Sequence, residues 1–128
     1  MPRYKIRFEM KNIQRKIITV DAENKSLGRL AVEVAVLLRG KNKPDFVPYK
    51  DVGDTVVVKN IDKMKFTGNK LKTKNYYRFT GYLGNFKTAT LKEFLTKRGP
   101  KEVLRKAVMG MLTKNTLRDR QIKRLKFE

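Results

Sequence analysis

Residues 16–40 read KIITVDAENKSLGRLAVEVAVLLRG, and most of the architecture can be predicted from them. The β-branched run IITV, followed by turn-prone residues, is typical of a buried strand. Ser26 is the predicted N-cap of a helix, because leucine, alanine and valine recur at helical spacing up to Leu38 and Gly40 supplies the end. A second apolar run, TVVV, follows at 55–58. A strand, a helix and a strand joined by so long a crossover predict a right-handed βαβ unit whose parallel strands are covered on both faces.

The C-terminal third is predicted to be helical. Thr90 opens a capping box, Pro100 occupies a first helical turn, and Thr116 with Asp119 caps a last helix. Between them, apolar pairs repeat every four residues over 103–112, which is the strongest amphipathic pattern in the chain.

The length and composition fit one folded domain. The chain has 128 residues, of which 40% are hydrophobic, and this is enough for a single core. No internal repeat or linker divides it. We therefore predict the α/β class: one three-layer α/β/α domain over residues 16–128, with a small, mostly parallel sheet and a helical C-terminal third, preceded by a basic N-terminal arm at 1–15.

The charge is strongly one-sided, with 32 Lys and Arg against 12 Asp and Glu and a net charge of +20. Soluble domains usually carry a net charge of about 2–8, and a field of one sign opposes compaction unless a polyanion neutralises it. The charge therefore predicts a nucleic-acid partner, with an acidic membrane surface or an acidic protein as alternatives. The longest apolar run, 30–38, is short and broken by Glu33, so no membrane span is predicted.

Residue types that the sequence lacks exclude several classes of enzyme. Without cysteine there is no disulfide, thiolate zinc site or cysteine nucleophile, and without histidine the commonest general acid and base is missing. The turn before the first helix has Thr19 and Asn24 where a Walker loop needs glycines, and no G-x-G-x-x-G occurs. We therefore predict no enzyme activity, no cofactor and no metal.

Asp45, Asp51 and Asp54 lie in one loop and offer the one catalytic alternative. Carboxylates in such a loop could collect Mg²⁺, which would suit a magnesium-dependent nucleic-acid-processing enzyme. The simpler interpretation of Asp-x-Gly-Asp at 51–54 is a turn whose aspartates accept hydrogen bonds from nearby backbone N–H groups. We favour the turn and keep the enzyme as the alternative.

Residues 70–88 interleave basic and aromatic side chains in the order KLKTKNYYRFTGYLGNFKT. Basic residues neutralise phosphates, and aromatic planes stack on the splayed bases of single-stranded or looped RNA. If this segment is extended, Tyr76 and Tyr77 point to opposite faces, so that one can pack while its neighbour reaches out. The G-x-x-G at 81–84 fits a KH clamp in form only, because its surroundings are aromatic and strand-like, and the RRM consensus finds no aligned partner.

An ordered set of short motifs is shared with a known family: VDA at 20–22, GRLA at 28–31, LRGK at 38–41, Pro48 before DVGD at 51–54, TGNK at 67–70, YY at 76–77 with TG at 80–81, GML at 110–112 and KRLK at 123–126. Over roughly residues 16–126 the chain resembles the bacterial-type universal large-subunit ribosomal protein thirteen family. The resemblance implies a three-layer α/β fold, binding to large-subunit, 23S-type rRNA, a role in early assembly of that subunit, and no catalysis. It also implies neighbouring ribosomal proteins as partners, no homo-oligomer, and a place on the ribosome in a bacterial cytoplasm or an organelle.

The predicted RNA-binding residues combine the basic stretches with positions that match the family. The resemblance assigns to parts that face rRNA the following residues: Arg39, Lys41, Lys70, Tyr76, Gly81, Lys123, Arg124 and Lys126. The whole predicted set is Arg39, Lys41, Lys43, Lys63, Lys65, Lys70, Lys72, Lys74, Tyr76, Arg78, Lys87, Lys114, Arg118, Arg120, Lys123, Arg124 and Lys126.

Two departures from the family pattern bear on this prediction. Family members often have histidines around the Thr-Gly of the aromatic segment, where this chain has Arg78, Phe79 and Tyr82. Relatives commonly continue beyond Phe127-Glu128 into a closing strand and tail, so this strand is predicted to be short or absent.

Overall fold

The structure is a computed structural model, and it describes residues 13–128. The elements in chain order are β1 (Ile17–Asp21), α1 (Leu27–Arg39), β2 (Thr55–Lys59), a 3-10 turn (Ile61–Lys63), α2 (Lys70–Thr73), β3 (Asn75–Phe79), β4 (Phe86–Thr90), α3 (Leu91–Arg98), α4 (Pro100–Met111), α5 (Leu117–Ile122) and β5 (Leu125–Phe127). Most of the predicted N-terminal arm, residues 1–12, lies outside the described residues.

Two small sheets organise these elements. The first has three parallel strands in the order β1-β2-β5, with Ile18 beside Val56 and Val56 beside Leu125. The second is the antiparallel pair β3 and β4. The α/β class, the mostly parallel sheet and the helical C-terminal third are therefore confirmed. The closing strand β5 is present and has three residues, so of the two predicted outcomes it is the short one.

One side of the parallel sheet packs against the helices and forms the core. Because neighbouring residues of a strand point to opposite sides, alternate valines of β2 are buried on this side. The helix α1 contributes a stripe at helical spacing. Full burial of a valine or leucine side chain stabilises a fold by about 1.5–3 kcal/mol. The fully buried aliphatic residues are Leu30, Leu38, Leu91, Leu104, Val34, Val56, Val58, Val103 and Val108.

The other side of β1 is open among residues 13–128, so the predicted cover on both faces is wrong for this strand. Ile17 is 76% exposed, and Thr19 and Asp21 are exposed as well. The run of β-branched residues predicted burial, but such residues favour strands for backbone and neighbour packing whether or not both sides are covered. The continuous apolar run therefore predicted the position of the strand correctly, but it predicted more burial than the strand has.

The helix ends follow the sequence in two cases and depart from it in a third. The Thr90 and Glu93 capping box is present, with both reciprocal bonds at 3.3 Å. Gly40 ends α1 in the left-handed conformation, with φ of 80°. Thr116 directly precedes α5 as predicted, but its backbone angles are already helical and its side chain makes no capping bond. Asn115 takes that role instead, since its Oδ1 accepts from the Arg118 N–H at 3.1 Å.

Within the described residues, no helix is long and apolar enough to cross a membrane.

Candidate nucleic-acid interface

The β3–β4 hairpin has two chemically different sides. Residues 63–88, which include most of this hairpin, contain seven basic residues and no acidic one. In the pairing register, Arg78 lies opposite Lys87 and Phe79 lies opposite Phe86. Since side chains alternate along a strand, the basic pair shares one side with Tyr76, and the aromatic pair shares the other with Tyr77.

Tyr76 anchors the basic side of the hairpin to the helices. Its ring centroid lies 4.7 Å from that of Phe94 in α3, and the Lys106 ammonium of α4 sits 5.0 Å from the Tyr76 ring and 4.7 Å from the Phe94 ring. Burial raises the pKa of the Tyr76 hydroxyl. The prediction that one tyrosine of the pair packs while the other reaches out is confirmed, because Tyr77 is 62% exposed.

A groove runs between this side of the hairpin and helices α3 and α4, with a volume of about 690 Å³. We call it the cationic groove, and its charged lining residues are Arg78, Lys87, Lys97, Arg98, Lys106 and one carboxylate, Glu102. Glu102 is paired with Arg105 at 2.7 Å. The groove therefore presents five cations and one carboxylate, and the Tyr76 and Phe94 rings are part of its lining.

The sequence prediction missed Lys97, Arg98 and Lys106 as members of this groove. Lys97 and Arg98 are in the last turn of α3, where cations commonly balance the helix dipole. Lys106 lies on an exposed part of the amphipathic helix α4. The available signal was the alternation of Tyr76 and Tyr77, which predicts that one side of this strand packs, but the sequence did not show that the packed side is the basic one or that it faces these helices.

The cross-strand pair Arg78 and Lys87 is unusual because two like charges lie directly opposite each other. Such a pair destabilises a sheet by roughly 0.2–1 kcal/mol. An anion bound between the two side chains would remove this repulsion. Of the described carboxylates, only Glu102 lines the same groove, and its partner is Arg105.

The opposite side of the hairpin is an exposed aromatic surface. We call Tyr77, Phe79 and Phe86 the aromatic platform; they are 62%, 61% and 58% exposed. The ring centroids of Tyr77 and Phe86 are 5.5 Å apart and nearly parallel at 22°, and those of Phe79 and Phe86 are 6.5 Å apart. At the tip beyond β3, Tyr82 is 76% exposed and Leu83 is fully exposed.

The other predicted RNA-binding residues are spread over three regions. Lys70 and Lys72 are exposed on α2, and Lys74 lies 5.9 Å from the Tyr76 ring. Lys63 pairs with Glu23 at 3.0 Å, and Lys65 is exposed beside the start of α1. The remaining members are Arg39, which lies 5.2 Å from the Phe46 ring, Lys41, Lys114, Arg118, Arg120, Lys123 and Lys126. The structure brings together Lys74, Tyr76, Arg78 and Lys87. Lys70 lies one helical turn before Lys74, and the members outside α2 and the hairpin lie on other elements.

Arg124 has a structural role that the sequence prediction did not foresee. Its Nη1 and Nη2 each donate to one oxygen of Asp51 at 2.6 Å, Nη2 also donates to the Leu38 carbonyl at 2.9 Å, and Nε donates to the Asp54 carbonyl at 3.3 Å. The side chains of Arg124 and Asp51 are both 13% exposed. Arg124 therefore acts as a clamp that joins α1, the 41–54 loop and the start of β5, while its RNA contact stays a prediction.

Lys43 forms an ion pair in the same region, and its RNA contact likewise stays a prediction. Its ammonium donates to the Asp54 carboxylate at 2.6 Å and to the Val52 carbonyl at 2.8 Å. Burial of Asp54 opposes ionisation, but the bonds from Lys43 and from the Lys16 N–H outweigh it and hold the pKa of Asp54 below its ordinary value. Lys43 and Asp54, like Arg124 and Asp51, therefore neutralise each other.

Gly53 makes this arrangement possible. A Cβ at position 53 would lie 1.6 Å from the Leu38 carbonyl oxygen. Only a residue without a side chain allows the loop to approach the end of α1 this closely. The carbonyl of Gly53 also accepts from Arg15 at 2.8 Å, so a residue assigned to the predicted arm is attached to the same loop.

These contacts also decide how the loop aspartates are interpreted. Asp54 accepts from the backbone of Lys16, 38 positions away, so the predicted bonds to nearby backbone N–H groups are wrong for this residue. Asp51 is paired with Arg124 and lies 3.5 Å from Arg15. Across residues 13–128, no cluster of three or more acidic residues could hold a metal ion. The magnesium-dependent alternative therefore loses two of its three carboxylates to ion pairs.

A small α/β domain with a groove of this charge has the character of a protein that binds polyanions. The family model described as "Ribosomal protein L13" matches residues 15–127, and the chain belongs to this family. The predicted resemblance is confirmed.

Curated relatives agree with this assignment. The chain is 50% identical over 115 residues to the large ribosomal subunit protein uL13 of Rubrobacter xylanophilus, 49% identical to that of Alkalilimnicola ehrlichii and 46% identical to that of Francisella tularensis subsp. novicida. Each match covers 90% of this chain and 80% of the relative. The prediction that the chain is not an enzyme agrees with this membership, since the family and the relatives are named as ribosomal proteins.

Proposed function

We propose that this protein is a structural component of the large ribosomal subunit, where it binds large-subunit rRNA and supports assembly of that subunit. Its partners are 23S-type rRNA and neighbouring ribosomal proteins, and it acts as a single copy rather than as a homo-oligomer. It resides on the ribosome, in the cytoplasm of a bacterium or in an organelle. Family membership supports the ribosomal part of this proposal, and the cationic groove supports the RNA part.

The observation that carries RNA binding is the pair Arg78 and Lys87. Two cations held opposite each other in a hairpin cost stability, and a phosphate bound between them offsets that cost. Phosphate contacts supply most of the affinity in such complexes and fix the protein on its RNA. Lys97 and Arg98 extend the positive lining along the groove. The exposed predicted cations on α2, α5 and the final strand add further phosphate contacts.

Replacing Arg78 and Lys87 together by glutamine tests this proposal. We expect affinity for large-subunit rRNA to fall by at least about tenfold at 0.1 M salt, and the slope of log affinity against log salt to decrease by about 1.4–1.8. Stability should stay the same or rise slightly, because the like-charge repulsion is removed. RNA affinity is measured by filter binding over a salt series, and stability by urea unfolding.

The matched control is Lys25→Gln with Lys59→Gln, which removes the same net charge. Lys25 is paired with Glu33 at 2.8 Å, and Lys59 with Glu128 at 3.1 Å. The control should keep most of the affinity, since these cations are already neutralised by carboxylates. Equal losses in the two double variants would mean that net charge, and not the groove, determines binding, and would contradict the proposal.

A further inference from the structure

The aromatic platform is not explained by core packing or by phosphate binding. Its three rings contact one another but remain more than half exposed, and they lie on the side of the hairpin away from Arg78 and Lys87. Exposed apolar surface of this kind is unfavourable in water. A contiguous set of large exposed rings usually marks a binding surface.

We propose that the aromatic platform stacks on unpaired bases of the RNA, while the other side of the hairpin contacts its phosphates. This inference rests on the proposed function, and it specifies which part of the RNA the platform recognises, namely unpaired bases. Aromatic side chains on a sheet are the usual stacking surface for single-stranded RNA. The ligand class is therefore single-stranded or looped RNA with splayed bases, rather than a regular duplex.

The spacing of the rings favours splayed bases. Bases within a regular strand are stacked about 3.4 Å apart, and rings in contact with each of them would need that same spacing. The centroids of the platform are 5.5 and 6.5 Å apart, and both distances join a ring of β3 to Phe86 of β4, so the rings are wider apart than stacked bases. Bases can reach these rings only if they are unstacked from their neighbours in the RNA.

The charge around the platform favours RNA over an apolar protein surface. Residues 63–88 contain seven basic residues and no acidic one, so the rings are carried on a strongly positive hairpin. A base brings a phosphate with it, and that phosphate is attracted to this hairpin. A second copy of the chain would bring its own net charge of +20, and the two copies would repel each other.

The test replaces Tyr77, Phe79 and Phe86 by leucine in one variant, which keeps apolar side chains and removes the aromatic planes. The probes are a single-stranded oligoadenylate and a fully paired RNA duplex with the same number of phosphates. We expect the variant to bind the oligoadenylate at least about tenfold more weakly than the unaltered protein. Duplex binding and the salt slope should stay the same, because the phosphate contacts remain.

The control variant is Tyr49→Leu, which removes a 73% exposed ring that lies beside Lys50 in the 41–54 loop. It should bind both probes as the unaltered protein does. Because the platform rings are exposed, urea unfolding should report an intact fold, and the single variant Phe79→Leu provides a milder change with the same expected direction.

Unchanged oligoadenylate binding in the triple variant would overturn the inference and make the platform a surface for a neighbouring protein. That result is distinct from failure of the proposed function, which would appear as unchanged RNA binding on replacing Arg78 and Lys87.

Discussion

Replacement of Arg124 by methionine should destabilise the fold strongly, although Arg124 lies in the most basic motif of the C-terminal segment. Methionine keeps much of the apolar stem and removes the guanidinium. The guanidinium donates to both Asp51 oxygens at 2.6 Å, and to the Leu38 and Asp54 carbonyls at 2.9 and 3.3 Å. The variant therefore leaves one carboxylate and two carbonyls without these donors.

The size of the loss depends on how far the pair is shielded from water. An exposed ion pair contributes about 0–1 kcal/mol, whereas removing one partner of a buried pair costs about 3–5 kcal/mol. The side chains of Arg124 and Asp51 are each 13% exposed, which places the expected loss near the lower end of the buried range, at about 3 kcal/mol. Domains are stable by only about 5–15 kcal/mol, and Tm should fall by roughly 10–15 °C.

Urea unfolding at neutral pH measures this loss, with Lys123→Met as the matched control. Lys123 is the adjacent residue and is exposed, so its replacement should change stability by less than about 0.5 kcal/mol. Adding Asp51→Leu to Arg124→Met should recover part of the loss, since it removes a carboxylate that Arg15 at 3.5 Å neutralises less well than Arg124 at 2.6 Å. A loss below about 1 kcal/mol for Arg124→Met, or equal losses for the two methionine variants, would refute the reasoning.

Two further predictions concern the same loop. Gly53→Ala should unfold or severely destabilise the protein, because the new Cβ would lie 1.6 Å from the Leu38 carbonyl oxygen. The control Gly28→Ala has open space around its Cβ and should raise stability by up to about 1 kcal/mol. Thermal melts compare the two variants, and similar melting curves would contradict this prediction. The pKa of Asp54 is lower in the folded than in the unfolded chain, so its contribution is present above its ordinary pKa of 3.8 and is lost as the pH falls through the folded value. Urea unfolding midpoints measured from neutral to acidic pH should show this loss, and Asp54→Asn should make the midpoint depend less on pH. The same pH dependence in the variant and the unaltered protein would show that the ion pair adds no stability.

Local patterns predicted the elements that depend on neighbours in the sequence. The helix from Ser26 to Gly40 and the capping box at Thr90 were found because helical spacing and capping bonds involve residues within a few positions of each other. The opposite directions of Tyr76 and Tyr77 follow from strand alternation alone. These features require no knowledge of the tertiary fold.

Features that depend on distant partners were not predictable in this way. Arg124 reaches Asp51 across 73 positions and Leu38 across 86, so its sequence context suggested a ligand contact rather than a clamp. The open side of β1 depends on which elements cover it, and β-branched residues do not report that. In the sequence, Lys97 and Arg98 are ordinary cations at the end of a helix, and they line the cationic groove only because the hairpin packs beside them.

The central claim is that rRNA is held by the β3–β4 hairpin and the groove beside it, and ultraviolet cross-linking of assembled large subunits tests this most directly. Cross-linked peptides identified by mass spectrometry should fall mainly within residues 70–106, with aromatic platform residues among the linked positions. The side of β1 that carries Ile17 and Thr19 is not covered by any element within residues 13–128. It provides an internal comparison and should be nearly free of cross-links. Cross-links concentrated there or on α1, with the hairpin unmodified, would contradict the account.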